Sequence, residues 1–339
     1  MRRKTLMRSF IPAIAAGLFL ACAAAAAEKS ASEFFRGKKI RIYTHAAGGG
    51  TDTVTRSMAP FLEKELGATV IVKNSSRGNI IAANDLFRSK PDGLSLAIFS
   101  FGVVSPMELS GVRGIKYKTE EFNWLGFFGI QELIFVISPA KPYRTAADFK
   151  GTRGLKIISA SPMGMYTAGA TLAAWALDLD AKVITGARTP EMILSVQKGE
   201  SDGAAVIVSA IAPFIKGGQV RPLFAFNQKT PVFPDLPTLS ELTQLSEQQR
   251  LIKELFTSSQ NGLLGPPGIP KDRLDYLAKT LEKINKDQAA QKVLSQRSNL
   301  TDWVYMTYEE SQKFVKGNMK LAKNMKLGDI FKAQRDRYR

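Results

Sequence analysis

Apolar positions along the chain predict alternating strands and helices. Residues 39–44 alternate apolar with polar side chains, as a half-buried strand does, and apolar residues from Val54 to Leu66 recur at helical spacing. Pro60 lies inside that helical pattern, so we expect a kink or a late start there. The next predicted elements are a strand over 68–73, a short helix over 79–88 and a buried strand over 94–99. This order predicts a parallel sheet with right-handed crossovers.

A second α/β pattern occupies the middle of the chain. Its predicted strands cover 133–137, 155–159, 181–185, 204–208 and 220–226, and its predicted helices cover 145–150, the segment after Gly164, and 191–198. A proline-rich loop follows at 231–237. From Pro270 the pattern is helical again, and Thr307 with Glu310 has the spacing of a capping box for a last long helix.

The first 27 residues have the composition of a secretory signal peptide. A basic start is followed by a charge-free, alanine-rich stretch that ends in Ala25-Ala26-Ala27 before Glu28, a small-x-small cleavage pattern. We expect export to the periplasm and cleavage after Ala27, by either the Sec or the twin-arginine route. An N-terminal membrane anchor is the alternative, although the apolar core is short. Cys22 lies in this segment, so the mature chain is expected to contain no cysteine.

Composition narrows the classes of function. The 339 residues are 45% apolar and 23% charged, which is typical of a globular protein and suggests two domains. One cysteine and one histidine exclude a disulfide framework and a multi-histidine metal cage, and we expect no metal or cofactor. The net charge of +17 is compatible with nucleic acid, a membrane surface or anionic ligands as partners. The lysine-rich stretch over 316–326 is expected to be a solvated helix face.

A glycine-rich turn, residues 46–52 (A-A-G-G-G-T-D), separates the first predicted strand from the first helix. Glycine lets backbone N–H groups approach a ligand, and the helix start that follows favours an anion. No lysine follows as a P-loop requires, and Thr53 stands where a dinucleotide fingerprint needs a third small residue. Two interpretations of the turn remain: a site whose backbone N–H groups bind a carboxylate, called here the carboxylate cradle, and a tight turn without a ligand. His45, just before the turn, is expected to form a pocket wall or donate a hydrogen bond.

A second turn of small residues, from Ser159 to Met165, precedes the helix after Gly164. Alone it is typical of a loop, but together the two turns predict two helix starts that face a shared cleft. The sequence contains neither a Gly-x-Ser-x-Gly elbow nor a His-Glu-x-x-His motif, so hydrolase and zincin functions lack their local signatures.

Several segments in order resemble one protein family. They are residues 40–52 (I-R-I-Y-T-H-A-A-G-G-G-T-D), 70–74 (V-I-V-K-N), 122–126 (F-N-W-L-G), 198–203 (K-G-E-S-D-G), 213–223 (P-F-I-K-G-G-Q-V-R-P-L), 233–241 (F-P-D-L-P-T-L-S-E) and 262–270 (G-L-L-G-P-P-G-I-P). In this order they resemble the Bug, or TctC-like, family: the periplasmic receptors of tripartite tricarboxylate transporters. The resemblance covers nearly all of the mature chain.

The resemblance implies a fold of two α/β lobes, each a mostly parallel sheet flanked by helices, that close on a ligand. Lobe one would comprise residues 28–131 and 256–339, and lobe two residues 132–255, with crossings near 129–131 and 257–259. The implied function is a non-enzymatic, monomeric receptor for a di- or tricarboxylate or an aromatic acid, bound partly through ordered water. Its implied partners are a membrane permease or a sensor, and no nucleic acid.

The resemblance also implies a set of ligand-binding residues. In lobe one they are His45, Ala46, Ala47, Gly48, Gly49, Thr51, Asp52 and Ser100, and in lobe two they are Ser159, Ala160, Ser161, Gly164, Met165, Thr185 and Val206. Met165 stands where Thr or Ser is common, Thr185-Gly186 replaces a usual Tyr-Lys pair, and Val206 replaces an Asp that some members use to contact an amino group. These departures imply a less polar pocket, suited to an aliphatic or aromatic carboxylate rather than an amino acid. The rival hypotheses are a periplasmic α/β enzyme acting on a phosphoester or nucleotide, and a nucleic-acid binder.

Overall fold

The computed structural model describes residues 30–44, 50–74, 79–160, 164–230, 232–298 and 302–337. The predicted signal peptide, residues 45–49 of the glycine-rich turn and Ser161 lie outside these ranges. Within the ranges, no helix has both the length and the apolar character that crossing a bilayer requires.

The first part of the chain forms the parallel unit that its pattern predicts. After a helical segment, α1 (30–35), come β1 (Lys39–Thr44), α2 (Gly50–Leu66), β2 (Thr69–Asn74), α3 (Asn79–Phe87) and β3 (Ser95–Ser100). The strands lie in the order β2-β1-β3, with both pairings parallel. A late helix start at Pro60 is wrong, since α2 begins at Gly50 and continues through Pro60. Burial of Val54, Met58 and Leu62 against the sheet stabilises both halves of the helix and outweighs the missing hydrogen bond.

One long strand takes part in both sheets. The chain continues through α4 (Phe101–Leu109) and a 3₁₀ turn (Thr119–Glu121) into β4 (Asn123–Ile137), of which the sequence pattern predicts only the last five residues. The first half of β4 pairs with strands of the first sheet, and Leu133–Ile137 pairs with strands of a second sheet. Gly129, between the halves, has φ +61°, and the pairing register shifts between Phe128 and Ile130.

The second sheet contains the middle of the chain. Its elements are α5 (Ala146–Phe149), β5 (Leu155–Ile158), α6 (Met165–Ala176), β6 (Ala181–Ile184), α7 (Thr189–Gln197), β7 (Gly203–Ile207), α8 (Val208–Lys216), β8 (Arg221–Ala225), α9 (Leu239–Leu242) and α10 (Glu247–Phe256). β5 is parallel to β6 and β7, whereas β4 runs antiparallel to β7 and β8. Apart from 133–137, which is the last third of the longer β4, the predicted strands and helices of this region are confirmed to within one or two residues.

The chain then returns to the first sheet. β9 (Ser258–Gly265) inserts between β3 and β4 and runs antiparallel to both. It is followed by α11 (Lys271–Lys286), α12 (Gln288–Ser298), β10 (Asp302–Met306), α13 (Tyr308–Asn324) and α14 (Leu327–Arg337). The predicted capping box begins α13, because the Thr307 hydroxyl accepts from the Glu310 amide and the Glu310 carboxylate accepts from the Thr307 amide. Lysines over 316–326 are exposed, as expected for a solvated face. Both sheets are mixed and flanked by helices.

The face of the first sheet that α2 covers, called here the α2 face, positions the candidate site. Successive side chains on a strand point to opposite faces, so every second residue of a strand shares a face. Buried apolar residues of α2, among them Val54 and Met58, pack there in one cluster with strand residues. Those strand residues include Ile40 and Ile42 of β1, Leu96 and Ile98 of β3, Phe128 of β4 and Leu263 of β9.

Candidate ligand-binding site

Three buried polar residues continue the α2 face at its edge. Thr44 follows Ile42 on β1, Ser100 follows Ile98 on β3, and Asn261 precedes Leu263 on antiparallel β9, each by two positions. Ser100 and Asn261 are direct register partners. We call Thr44, Ser100 and Asn261 the polar row. It lies at the carboxyl ends of β1 and β3, where open α/β sheets bind their ligands.

The first turn of α2 is held over this edge by threonines. The Thr55 hydroxyl hydrogen-bonds the Thr44 hydroxyl at 3.1 Å and donates to the Thr51 carbonyl at 2.7 Å. Thr44 and Thr55 are fully buried, whereas Thr51 is half-buried. The N–H groups at a helix start lack partners within the helix, so this edge presents polar side chains and backbone donors together.

Asp52 connects the start of α2 to the end of β2. The Asn74 amide donates to Asp52 Oδ1 at 2.8 Å, and Arg56 Nε lies 3.0 Å from the same oxygen. Arg56 Nη2 donates in turn to Asn74 Oδ1 at 2.7 Å. Asp52 is 4% exposed, and its negative charge is compensated by Arg56 and by the helix start. Asp52 therefore joins the first turn of α2 to the end of β2.

The start of α6 is the position on the second sheet that corresponds to the start of α2 on the first. Ser159, at the end of β5, is fully buried, and its hydroxyl lies 2.6 Å from that of Thr167. The Ser159 amide donates to the Ile184 carbonyl at 2.7 Å, and the Ala160 carbonyl accepts from the Gly186 amide at 3.2 Å. These bonds join the residues that follow β5 to the end of β6 and to Gly186 beyond it.

Gly164 is the N-cap of α6 and has φ +138° and ψ 179°. This combination is one that residues with a side chain avoid, so the glycine is required by the backbone. It is followed by Met165, which is buried in the core of the second sheet. The helix start therefore has an apolar first residue.

Tyr166, the second residue of α6, hydrogen-bonds to two other elements, α7 and β7. Burial raises the pKa of its phenol, and hydrogen bonds to the Thr189 side chain and the Ile207 backbone oppose that rise. The ring packs against apolar residues on both sides of the second sheet. The phenol thus fixes the start of α6 relative to the end of β7 and the start of α7.

The two remaining predicted site residues of lobe two, Val206 and Thr185, differ in burial. Val206 is fully buried on β7, opposite Ile134, in an apolar cluster with Met192. Thr185 is exposed just beyond β6. Apart from Thr185 and Val206, the described site residues fall into two groups, one at the start of α2 with Ser100 and one at the start of α6. The predicted site residues outside the described ranges are His45, Ala46, Ala47, Gly48, Gly49 and Ser161.

The structure also shows neighbours of the site that the sequence analysis missed. They are Thr44, Thr55, Asn74, Tyr166, Thr167 and Asn261. A sequence signal existed for Thr44, a polar residue that ends an alternating strand next to the glycine-rich turn. For Asn261 no local signal existed, because its place depends on strand pairing with distant Ser100. Within the described ranges, Asp, Glu, His and Cys side chains form no group of three that could hold a metal ion.

The fold is that of two-lobed periplasmic binding proteins. Periplasmic binding protein BugD superimposes with a TM-score of 0.68 at 21% identity, covering 88% of this chain and 97% of BugD. MatC from Rhodopseudomonas palustris, solved with bound malate, gives 0.69 at 16% identity and covers 88% and 99%. Rpa4515 of R. palustris, solved with adipate, gives 0.71 at 16% identity and covers 86% and 97%. The predicted two-lobed α/β fold is confirmed.

Residues 54–328 match the model of the tripartite tricarboxylate transporter family receptors, so the chain belongs to this family. Protein BugT of Bordetella pertussis is 30% identical over 125 residues, which span 36% of this chain and 38% of BugT. A UPF0065 protein of Bordetella bronchiseptica is 27% identical over 271 residues, 74% of each chain. Proteins of this family are substrate-binding receptors and not enzymes, and the predicted resemblance is confirmed.

Proposed function

We propose that this protein is a periplasmic receptor that captures a small organic carboxylate and delivers it to a membrane permease or a sensor. The observation that carries the proposal is the pair of helix starts, of α2 and of α6, at the carboxyl ends of strands in two sheets. Each helix start favours an anion. Membership in the receptor family and the signal-peptide pattern support the same function.

In the proposed mechanism, the lobes close about the crossings between the two sheets. Lobe one comprises residues 28–131 and 256–339, and lobe two residues 132–255. The positive φ of Gly129 and the register shift around it support a hinge in β4, because the ladder is interrupted there. Backbone N–H groups of residues 46–49 and the Thr51 hydroxyl hold the anion from lobe one. Ser159, Ser161 and the start of α6 face it from lobe two.

The proposed class of ligand is supported by the ligands of proteins with the same fold and by the residues at the lobe-two side of the proposed site. MatC and Rpa4515, solved with malate and adipate, share the fold, and both compounds are dicarboxylates. By resemblance, Met165 and Val206 replace polar residues of other family members at the lobe-two end, which favours an aliphatic or aromatic body over an amino acid. The rival hypothesis, a phosphoester- or nucleotide-processing enzyme, predicts that the ligand is consumed, whereas a receptor returns it unchanged.

Calorimetric titration of site variants tests the proposal. Gly49→Val should abolish carboxylate binding, because its side chain fills the space that the anion needs. Thr51→Ala should weaken binding by about 1 kcal/mol, the usual net value of a hydrogen bond. Gly317→Ala, on the exposed face of α13, is the matched control and should bind normally. Normal binding by Gly49→Val would contradict the cradle, and a chemically altered ligand after incubation would support the enzyme.

A further inference from the structure

The side-chain amide of Asn261 is buried, and neither of its ends is hydrogen-bonded to the part of the chain that the structure describes. The side chain is fully buried, and both Nδ2 and Oδ1 lack a partner there. Asn285 shows the contrast: its Oδ1 also lacks a partner among the described residues, but its Nδ2 donates to the Leu281 carbonyl at 2.8 Å. Asn84 is buried to a similar degree, and both of its amide atoms are bonded.

An amide buried in this way opposes folding, because it loses its bonds to water and gains none from the described residues. An apolar residue of similar size at this position would avoid that loss. The amide is therefore expected to find its partners in another state of the protein, in which a ligand is bound.

The position of Asn261 indicates which ligand group it would meet. Asn261 is the register partner of Ser100 on one side and of Phe128 on the other. Its side chain is on the α2 face, next to Ser100 in the polar row, at the edge where the helix start favours an anion. The amide thus lies between the carboxyl end of β3 and the part of β4 that leads to the crossing.

We propose that Asn261 is a specificity-determining residue that selects a 2-hydroxycarboxylate over the corresponding carboxylate without the hydroxyl. This inference rests on the proposed function and names the substrate class of the same site. A carboxylate only accepts hydrogen bonds, so it satisfies Nδ2 and leaves Oδ1 unpaired. A hydroxyl on the adjacent carbon donates to Oδ1, and the two ends of the amide are then both satisfied.

A 2-ammonium group would also donate to Oδ1, but it carries a positive charge that needs a negative neighbour. Asp52, a buried carboxylate at the start of α2, is already compensated by Arg56. A neutral hydroxyl therefore fits this edge better than an ammonium group does.

The test compares matched acids in calorimetric titrations of the purified full chain, unfolded and refolded to remove bound ligand. The probes are malate against succinate, and 3-phenyllactate against 3-phenylpropanoate. In the wild type the hydroxy acid of at least one pair should bind about tenfold tighter, the factor that one or two hydrogen bonds give. In Asn261→Leu this ratio should fall to about one, and the melting temperature of the ligand-free protein should not fall.

Asn84→Leu is the control for a buried amide that serves the fold. It should lower the melting temperature, because two bonds are lost, and leave the ratio of affinities unchanged. If Asn261→Leu does not fold, Asn261→Asp preserves the shape of the side chain and tests whether it lies against the carboxylate of the ligand. Its carboxylate repels the carboxylate of the ligand, so both acids of a pair should bind at least about tenfold more weakly.

Three results would overturn the inference. The first is a wild type that binds carboxylates without preferring the hydroxy acid, or that prefers the 2-amino acid. The second is that Asn261→Leu keeps the wild-type ratio of affinities, or that Asn261→Asp keeps the wild-type affinities. The third is a lower melting temperature of ligand-free Asn261→Leu, which would make the amide structural. A wild type that binds no carboxylate at all would overturn the proposed function as well.

Discussion

The side-chain amide of Asn74, at the end of β2, donates a 2.8 Å hydrogen bond to Asp52 in the first turn of α2. Arg56 completes the connection by contacting both partners. Asp52 belongs to the residues that the family resemblance implies for ligand binding. Its geometry assigns it the supporting task of fixing the helix start on which the glycine-rich turn ends.

Asp52→Ala should therefore lower the free energy of unfolding by about 1–3 kcal/mol, because the Asn74 amide loses its acceptor. Carboxylate affinity should also decrease, since the start of α2 is less well fixed. Urea unfolding and calorimetric titration measure the two effects. Asp85→Ala is the control, because the Asp85 carboxylate is 40% exposed and 3.5 Å from Arg88. Its cost should stay below about 0.5 kcal/mol, and equal costs for the two variants would contradict the assignment.

The buried hydroxyl pair of Ser159 and Thr167 should behave as a coupled unit. Ser159→Ala and Thr167→Val should each cost about 0.5–1.5 kcal/mol, because each removes the hydrogen bond between the two buried hydroxyls. The double variant should cost less than the sum of the single variants, which a double-mutant cycle in urea measures. Strictly additive costs would show that the 2.6 Å contact contributes nothing specific.

Gly164→Ala should destabilise the start of α6. The φ of +138° at this N-cap is strained for any residue with a side chain, and the expected cost is about 1–3 kcal/mol. Gly317→Ala provides the opposite case, because Gly317 lies inside α13 with open space around it. It should stabilise the protein by about 0.5–1 kcal/mol. Thermal unfolding distinguishes them, and a neutral Gly164→Ala would contradict the strained cap.

The capping carboxylates predict the response of stability to acid. Hydrogen bonds from the Thr307 amide and hydroxyl lower the pKa of Glu310. Its folded pKa is therefore below its unfolded pKa, and the stability that it contributes is present above the unfolded value and lost as the pH falls through the folded value. The free energy of unfolding should fall as the pH falls below about 4.3, the ordinary pKa of a free glutamate. Glu310→Gln should flatten this dependence, whereas Glu309→Gln, outside the capping box, should not. Equal slopes in all three proteins would contradict the explanation.

Local patterns predicted the elements that depend on local chemistry. The alternating residues of β1 and the Thr307–Glu310 capping box were predicted from spacing alone, and both are confirmed. The prediction of a late helix start at Pro60 was wrong, because the local effect of the proline on α2 is outweighed by burial of the helix against a sheet. Tertiary packing routinely overrides local preferences in this way.

The sequence pattern did not predict the features that depend on pairing between distant segments. Most of β4 and all of β9 were missed, because their residues acquire meaning only from neighbouring strands. For the same reason the polar row was not predicted, although Ser100 was named individually. The family resemblance supplied most of the remaining site, and the roles of those residues stay predictions.

A thermal-shift screen of the purified protein tests the central claim most directly. The library contains dicarboxylates such as malate and adipate, tricarboxylates, aromatic acids, amino acids, phosphoesters and nucleotides. A ligand at one hundred times its dissociation constant adds about 2.7 kcal/mol to the free energy of unfolding, which raises the melting temperature visibly. We predict shifts with one class of carboxylates and none with phosphoesters or nucleotides. Shifts confined to phosphoesters or nucleotides would contradict the receptor and support the enzyme.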